Sequence, residues 1–285
     1  MPSLISSEDR LALYGMGLFE TLLISGQAPL FPILHWQRMQ KGGSLLGLAV
    51  PEFEEWYDQI LTFLHLEESL AEPYGLRVTL SGGAPGQQLP PRLFCQSRPL
   101  AYSQRQHDLG LSLTLLTHPR NEKSPLTQIK STNFLENVLA KQEAGSRGAD
   151  EGIWLNTQGH LVEGTVSNLF FTREGQLFTP SLDSGCLPGT RRAIILEQAH
   201  RLQIPVYEEH CHPAMLCQAD EIFLTNALMG MMPVHKIDDQ SIPVCLPGDR
   251  NSVFRQLEQA FQTFSLSSNP AEIYLDAKVA ASKPE

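Results

Sequence analysis

Between Glu151 and Pro180 the chain reads "EGIWL", "HLVEG", "SNLFFT" and "QLFTP", with the turn segments "NTQG" and "REG" set among them. Apolar runs this short, each stopped by turn formers, are too brief for helices and have the length of strands. They predict a meander of short strands. A chain that commits this much of its second half to strands must fold around a sheet.

Helical spacing surrounds the meander. A helix is expected from about Ser131 to Ser146, with Ser131 or Thr132 as its cap. "PGTRRAIILEQAHRL" has proline ahead of its start and apolar residues at helical spacing. "IPVYEEH", "EIFLTNA" and "MPVHKI" read as strands, and Asn251 to Phe264 as a final helix. In the first half, "GLFETLLISGQAPLF" alternates around a Ser-Gly turn, as a hairpin does. His35–Leu48 and Pro51–Leu66 have helical spacing, although Gly42 and Gly43 weaken the first by about 1 kcal/mol each. "GLRVTLSGG" and "LSLTLLTH" are short strands. The class is a mixed α/β (α+β) chain.

"HPRNEKSPLTQ", His118 to Gln128, is polar, holds two prolines and reads as a linker. It divides the chain into an N-terminal α/β domain, 1–117, a linker, 118–128, and a larger C-terminal domain, 129–264. Residues 265–285 read as a loosely held tail. The length, 285 residues, suits two domains and a sizeable core.

Composition excludes several functions. The net charge is -10, and no basic stripe of the kind that nucleic acid requires is present. No apolar run approaches the length of a membrane span, and no basic amphipathic helix suggests a membrane surface. "MPSLISSEDRLALYG" lacks the pattern of a signal peptide. Five cysteines, Cys95, Cys186, Cys211, Cys217 and Cys245, are scattered without a C-x-x-C pair, which suits a reducing cytoplasm. His210, Cys211, His212 and Cys217 cluster without zinc-ligand spacing, so no metal is expected. "SGGAPG" resembles a phosphate loop, but "QQLPPR" follows it where a helix would have to start.

Three features carry chemistry. Lys130 sits just before a helical pattern, flanked by Ile129, Phe134 and Leu135. A lysine amine attacks carbonyls only when part of it is neutral, which burial or nearby positive charge can bring about. Its ordinary reading is a surface lysine. Glu163 ends a strand, where a glutamate is usually solvated. A carboxylate there could also keep a pyridine nitrogen protonated. "LPGTRRAIIL" offers backbone amides at a helix start, Arg38 in "HWQRM" a charge-assisted contact, and "TNALMG" more donors, all suited to a phosphate.

Taken together these segments resemble the fold-type IV pyridoxal-phosphate enzymes, the class IV aminotransferases. "DRLALYGMGLFETLLISGQAPLFPILHWQRMQ", "KSTNFLENVLAKQEAGSRGADEGIWLNTQGHLVEGTVSNLFFTREGQLFTP", "SGCLPGTRRAIIL" and "ADEIFLTNALMGMMPV" are similar to that family's segments in the same order, from Ser6 to about Phe264. The resemblance implies a two-domain fold like that of the D-amino-acid aminotransferases, with pyridoxal 5'-phosphate as cofactor. Lys130 matches the lysine that carries the cofactor, and Glu163 the acid facing its ring nitrogen. Arg38 matches the phosphate-binding arginine. Thr190 and Arg191 match the pair whose amides hold the phosphate, and Asn226 and Ala227 fall at further phosphate contacts. The adjacent Arg191 and Arg192 depart from the usual Gly-Ile-Thr-Arg wording, which leaves backbone donors but no threonine hydroxyl. A homodimer acting on a small molecule is also implied.

Within the family, "KSTN" and "TNALMGMMPV" resemble the 4-amino-4-deoxychorismate lyases. Phe134 replaces the tyrosine that branched-chain aminotransferases carry nearby. Phe19 stands where the D-amino-acid enzymes have an active-site tyrosine, and "APGQQLPPR" lacks their Arg-x-His carboxylate trap. The resemblance thus implies release of pyruvate and 4-aminobenzoate for folate synthesis. A transaminase acting on D-amino acids or branched-chain amino acids is the alternative. Neither Arg92 nor Arg98 can be assigned to a substrate carboxylate, and the edge strand with Asn-Gly expected ahead of "SSEDRL" is not found.

Overall fold

The structure, a computed structural model, describes residues 5–26, 28–66, 73–84, 86, 89–241 and 252–267. Its contacts divide the chain into two units. The smaller takes the described residues up to Leu100, the short return Ile129–Asn133 and Ser265–Ser267. The larger takes Ala101–Gln128 and Phe134–Phe264.

In the smaller unit, β1 (Leu18–Ser25) turns into β2 (Ala28–Pro29) as the hairpin pattern predicts, and β3 (Tyr74–Leu80) and β4 (Leu93–Arg98) complete an antiparallel sheet of order β2-β1-β3-β4. Strand alternation decides what each face carries. Leu18, Leu22 and Ile24 of β1 lie opposite Leu80, Leu76 and Tyr74 of β3. This apolar face packs on Met39, Trp56 and Ile60, from the helices α2 (Pro32–Leu46) and α3 (Phe53–Leu66). Phe19 and Thr21 pair with Thr79 and Arg77, and by alternation these four point to the other face. A short helix, α1 (Arg10–Tyr14), precedes the sheet. Neither α1 nor β4 was expected from the sequence, where their runs are short and mixed.

The two glycines inside α2 have a packing reason. A Cβ on Gly43 would lie 2.4 Å from Val50 Cγ2 and 2.9 Å from the Leu48 carbonyl oxygen. The helix gives up propensity there so that the chain leaving it can fold back closely.

The larger unit contains α4 (Gln104–Leu109), β5 (Leu111–Leu115), α5 (Leu135–Ser146), β6 (Glu151–Leu155), β7 (Leu161–Gly164), β8 (Asn168–Arg173), β9 (Gln176–Pro180), α6 (Thr190–Arg201), β10 (Val206–Glu209), β11 (Glu221–Asn226), β12 (Gly230–Ile237), β13 (Gln240–Ser241) and α7 (Val253–Ser267). Its nine strands run in the order β10-β9-β8-β11-β12-β5-β6-β7, with β13 beside β12. All four predicted strands from Glu151 to Pro180 are present, yet they do not form one meander. β6 pairs with β7, and β8 pairs with β9 and β11. The break is the turn after β7, where Gly164 N–H donates to the Ser167 carbonyl and Thr165 N–H to that of Gly152. The chain is thereby sent to new partners.

Strands here are apolar on both sides, as strands covered on two faces are. Phe170 of β8 stacks on Phe223 of β11 at 5.2 Å and packs with Ile195 of α6 and Phe254 and Leu257 of α7. Leu169 and Phe171 face a second core with Ile222, Leu224 and Met232.

Three expectations need correction. The first unit ends after Leu100, not at 117, because β5 lies parallel between β12 and β6 in the larger sheet. Residues 118–128 are not a free linker. Arg120 N–H donates to the Leu155 carbonyl at 2.8 Å, Glu122 accepts from Thr157, and Pro125–Gln128 is a turn of 3-10 helix. The helix expected from Ser131 begins at Leu135, with Phe134 at its cap and no side-chain cap bond. Ser131 instead bridges Leu18, and Thr132 N–H donates to the Gly17 carbonyl. Lys130, expected in the C-terminal domain, is therefore bound to the sheet of the smaller unit. Of the tail expected from Ser265, α7 takes residues to Ser267, and 268–285 lie outside the described residues, as does Cys245.

Gly43→Ala should lower stability although alanine is the better helix former. The propensity gain is about 1 kcal/mol, and overpacking costs roughly 1–3 kcal/mol. A net loss of about 1 kcal/mol is expected in urea unfolding. A gain would show that the chain after α2 relaxes freely.

Candidate active site

In the smaller unit the chain returns at Ile129–Asn133 along the edge of β1. Phe19 N–H donates to the Lys130 carbonyl at 2.9 Å, and Ile129 is buried in the sheet's core. The Lys130 Nζ lies 4.5 Å from the centroid of the Phe19 ring. The Arg77 guanidinium lies over the same ring at 3.6 Å. Lysine and arginine thus share one buried aromatic face, and Phe19 offers no hydroxyl to either. Burial, then the nearby Arg98, lowers the pKa of Arg77. The sequence reading missed Arg77. Its signal was a cation at the centre of an apolar strand, "GLRVTL".

Behind that face, on the side of α2, sits a buried ion cluster. Glu20 is fully buried. Arg38 donates to it from Nε at 2.8 Å and from Nη2 at 2.5 Å, and His35 Nδ1 lies 2.6 Å from Oε2. Burial alone would raise the Glu20 carboxyl, but Arg38 and His35 overcome that and hold it at about 2. Arg38 is therefore fixed in place by a carboxylate, with two of its three nitrogens committed. Glu20 and His35 were also missed. A glutamate inside "LFETLLI", in step with the leucines that face the core, was the available sign.

In the larger unit Glu163 is 5% exposed, not solvated as strand-end glutamates usually are. Its Oε2 accepts from the Leu187 N–H at 2.9 Å and from Asn168 Nδ2 at 3.2 Å. Asn168 also donates to the Leu187 carbonyl at 2.9 Å. One amide therefore clamps the carboxylate to the loop that leads into α6. That loop ends at Gly189, the N-cap of α6, which has no side-chain cap bond. The amides of the first turn remain suited to an anion. Thr190 and Arg191 begin the helix, both buried. Arg191 Nη2 donates to the Ala227 carbonyl at 2.9 Å, and its guanidinium lies 4.1 Å from the Phe261 ring centroid. Burial lowers its pKa to about 9. Asn226 Oδ1 accepts from Leu228 and Met229 N–H, and its Nδ2 donates to Tyr102 and to the Val166 carbonyl.

The structure thus links Glu163, Thr190, Arg191, Asn226 and Ala227 through one chain of hydrogen bonds and loops in the larger unit. Lys130 and Arg38 belong to the smaller. Asn168 was missed in the sequence, as was Arg120, whose Nη2 lies 3.6 Å from Glu163 Oε1; a polar residue in a loop or at a strand start carries no distinguishing pattern. Cys186, beside this cluster, is not a nucleophile. Burial pushes its thiol up to about 12, with the charge of Glu163 adding to the rise. The His210–Cys217 cluster is spent on local structure: His210 contacts Ser184 and stacks on His160, and His212 caps a short turn.

The chain belongs to the amino-transferase class IV family, whose pattern matches residues 17–237. It is 27% identical over 245 residues to the aminodeoxychorismate lyase of Bacillus subtilis, covering 83% of each chain. The crystal structure of 4-amino-4-deoxychorismate lyase from Pseudomonas aeruginosa superposes with a TM-score of 0.81 at 28% identity, covering 92% of this chain and 96% of that one. The branched-chain amino acid aminotransferase of Escherichia coli shares the fold, with a TM-score of 0.82 at 23% identity and coverage of 92% and 90%. Family membership alone therefore leaves the reaction open between lyase and transaminase.

Two outcomes follow from this geometry. A Cβ at Gly189 would lie 1.9 Å from Asn168 Oδ1. Gly189→Ala should displace the amide that clamps Glu163 and weaken cofactor retention by about tenfold, the worth of roughly one hydrogen bond. Dialysis against buffer reads this directly. For Glu20, the carboxyl ionises near 4.5 in the unfolded chain and near 2 in the folded one. Its contribution, about 3 kcal/mol, is complete above pH 4.5 and is lost as the pH falls toward 2. The stability gap between wild type and Glu20→Gln in urea unfolding should therefore narrow as the pH falls below 4.5.

Proposed function

For a member of the amino-transferase class IV family with this site, we propose a pyridoxal-phosphate-dependent lyase that converts 4-amino-4-deoxychorismate to 4-aminobenzoate and pyruvate. The observation that carries the reading is the Phe19 face. Lys130 lies against a ring without a hydroxyl, so its amine is the proton carrier there. Arg77, on the same ring, adds a cation suited to a substrate with two carboxylates. The likeness to the Bacillus subtilis and Pseudomonas aeruginosa lyases over most of the chain supports the same choice.

When bound, pyridoxal phosphate supplies an electron sink for the carbon that bears the substrate nitrogen. Lys130 would hold the cofactor through its aldehyde. Once displaced by the substrate amine, its own amine would take the proton from that carbon and return it to the enolpyruvyl oxygen as the adjacent carbon–oxygen bond breaks and pyruvate leaves. Return of Lys130 to the cofactor would release 4-aminobenzoate. The ring left behind is aromatic, and no second amino acceptor is consumed. Glu163, buried and clamped by Asn168 and Leu187, would keep the proton on the cofactor's ring nitrogen. Arg38, the amides of Thr190 and Arg191, and the turn at Asn226 and Ala227 would hold the phosphate.

A second copy of the chain completes the assembly in this reading. Leu135, Val138 and Leu139 form an exposed apolar stripe along α5, at 65%, 45% and 56% exposure. A stripe of this kind is what a partner covers.

Purified protein should release pyruvate and 4-aminobenzoate from 4-amino-4-deoxychorismate over many turnovers, without an added keto acid. Borohydride should fix the cofactor to the peptide holding Lys130, Lys130→Ala should abolish turnover, and light scattering should give twice the chain mass. Keto-acid formation from D- or branched-chain amino acids, with no 4-aminobenzoate, would replace the lyase by a transaminase.

A further inference from the structure

We propose that Arg120 is a positioning residue for the cofactor's ring proton, acting through Glu163: by holding that carboxylate in its ionised form, it places the proton on the ring nitrogen. This rests on the reading in which Glu163 faces that nitrogen.

Two donors to Glu163, the Leu187 N–H and the Asn168 amide, are neutral and address Oε2. The other oxygen, Oε1, lies 3.6 Å from Arg120 Nη2, beyond hydrogen-bond length and within ion-pair range. Arg120 is itself only 8% exposed. Its main chain is tied to the end of β6 through the Leu155 carbonyl, and its guanidinium stands 5.7 Å from the Trp154 ring centroid. Nε and Nη1 have no hydrogen-bond partner among the described residues. A buried guanidinium with two donors unspent is costly. Packing does not require it, since Leu116, Trp154, Val162 and Cys186 already form an apolar cluster nearby. Its charge beside Glu163 is what it supplies.

The other titratable groups around the pair do not substitute for it. The Cys186 thiol stays neutral, pushed up to about 12 by burial and by Glu163. Arg192, which also acts on Cys186, is committed to Glu208 at 2.7 Å and to the Pro180 carbonyl at 3.0 Å. An opposite charge at this range favours the ionised carboxylate. A proton shared between Glu163 and a ring nitrogen is thereby driven toward the nitrogen, because Arg120 acts less on the more distant ring.

The test loads the holoenzyme with pyridoxal phosphate carrying 15N in the ring and reads that nitrogen's chemical shift. Wild type should give the protonated value. Arg120→Met should move the shift toward the unprotonated value, while Arg120→Lys, which keeps a cation, should restore most of it. If Arg120→Met does not fold, Arg120→Gln against Arg120→Lys makes the same comparison between a neutral and a charged side chain. A wild-type shift in Arg120→Met or Arg120→Gln, with Glu163→Gln displaced, would overturn the role of Arg120 and leave Glu163 in place. A wild-type shift in Glu163→Gln would overturn the assignment of Glu163, and this inference with it.

Discussion

A five-residue return of the chain, Ile129–Asn133, is bound to the edge of β1 by backbone hydrogen bonds. Phe19 N–H reaches the Lys130 carbonyl and Thr132 N–H the Gly17 carbonyl, while Ile129 anchors the segment in the core below. Backbone pairing leaves little freedom to a side chain's point of departure. The Lys130 amine is accordingly delivered to the Phe19 ring by strand geometry and not by a loop that would have to be ordered separately. The rest of the smaller unit serves this edge. Helices α2 and α3 cover the opposite face, and the fully buried Glu20 stabilises Arg38 there.

Two carboxylates, Glu20 and Glu163, are buried by different means. Glu20 lies between Arg38 and His35, where close charged partners outweigh desolvation. Such a cluster is rigid and has no reason to change its protonation during a reaction. Glu163 has neutral donors at hydrogen-bond length and its cation slightly farther away. That looser arrangement suits a group that must share a proton with something else. Geometry within each cluster thus separates a carboxylate that holds a side chain from one that can take part in chemistry.

Strand and helix positions were largely readable because they rest on local patterning. The runs from Glu151 to Pro180, the hairpin at Ser25–Ala28 and the helices at Pro32, Phe53 and Thr190 are all present. Pairing was not readable. β7 and β8 part company through one turn at Gly164–Ser167, and β5 joins the larger sheet by parallel pairing that no local spacing reveals. The unit to which Lys130 belongs depended on that same long-range pairing. At the site, resemblance supplied the residues whose neighbours in sequence form recognisable wording. It could not supply Arg77, Glu20, Asn168 or Arg120, each an ordinary residue in sequence that becomes informative only once its burial and partner are known.

This division bears on how one family accommodates two reactions. The elements proposed to hold the cofactor are backbone amides, buried ions and a clamped carboxylate, all fixed by several partners at once. Altering one disturbs its neighbours, so they form a scaffold that any reaction on the same cofactor can share. The Phe19 face differs in kind. A ring at the end of a strand, flanked by Lys130 and Arg77, can gain or lose a hydroxyl without moving the backbone that carries it. The step that separates elimination from transamination is where a proton goes after it leaves the substrate carbon. A change confined to that face can redirect the proton while the buried scaffold stays as it is. In the proposed reading the reaction is decided by the few side chains around Lys130, and the binding of the cofactor by the buried groups of each unit.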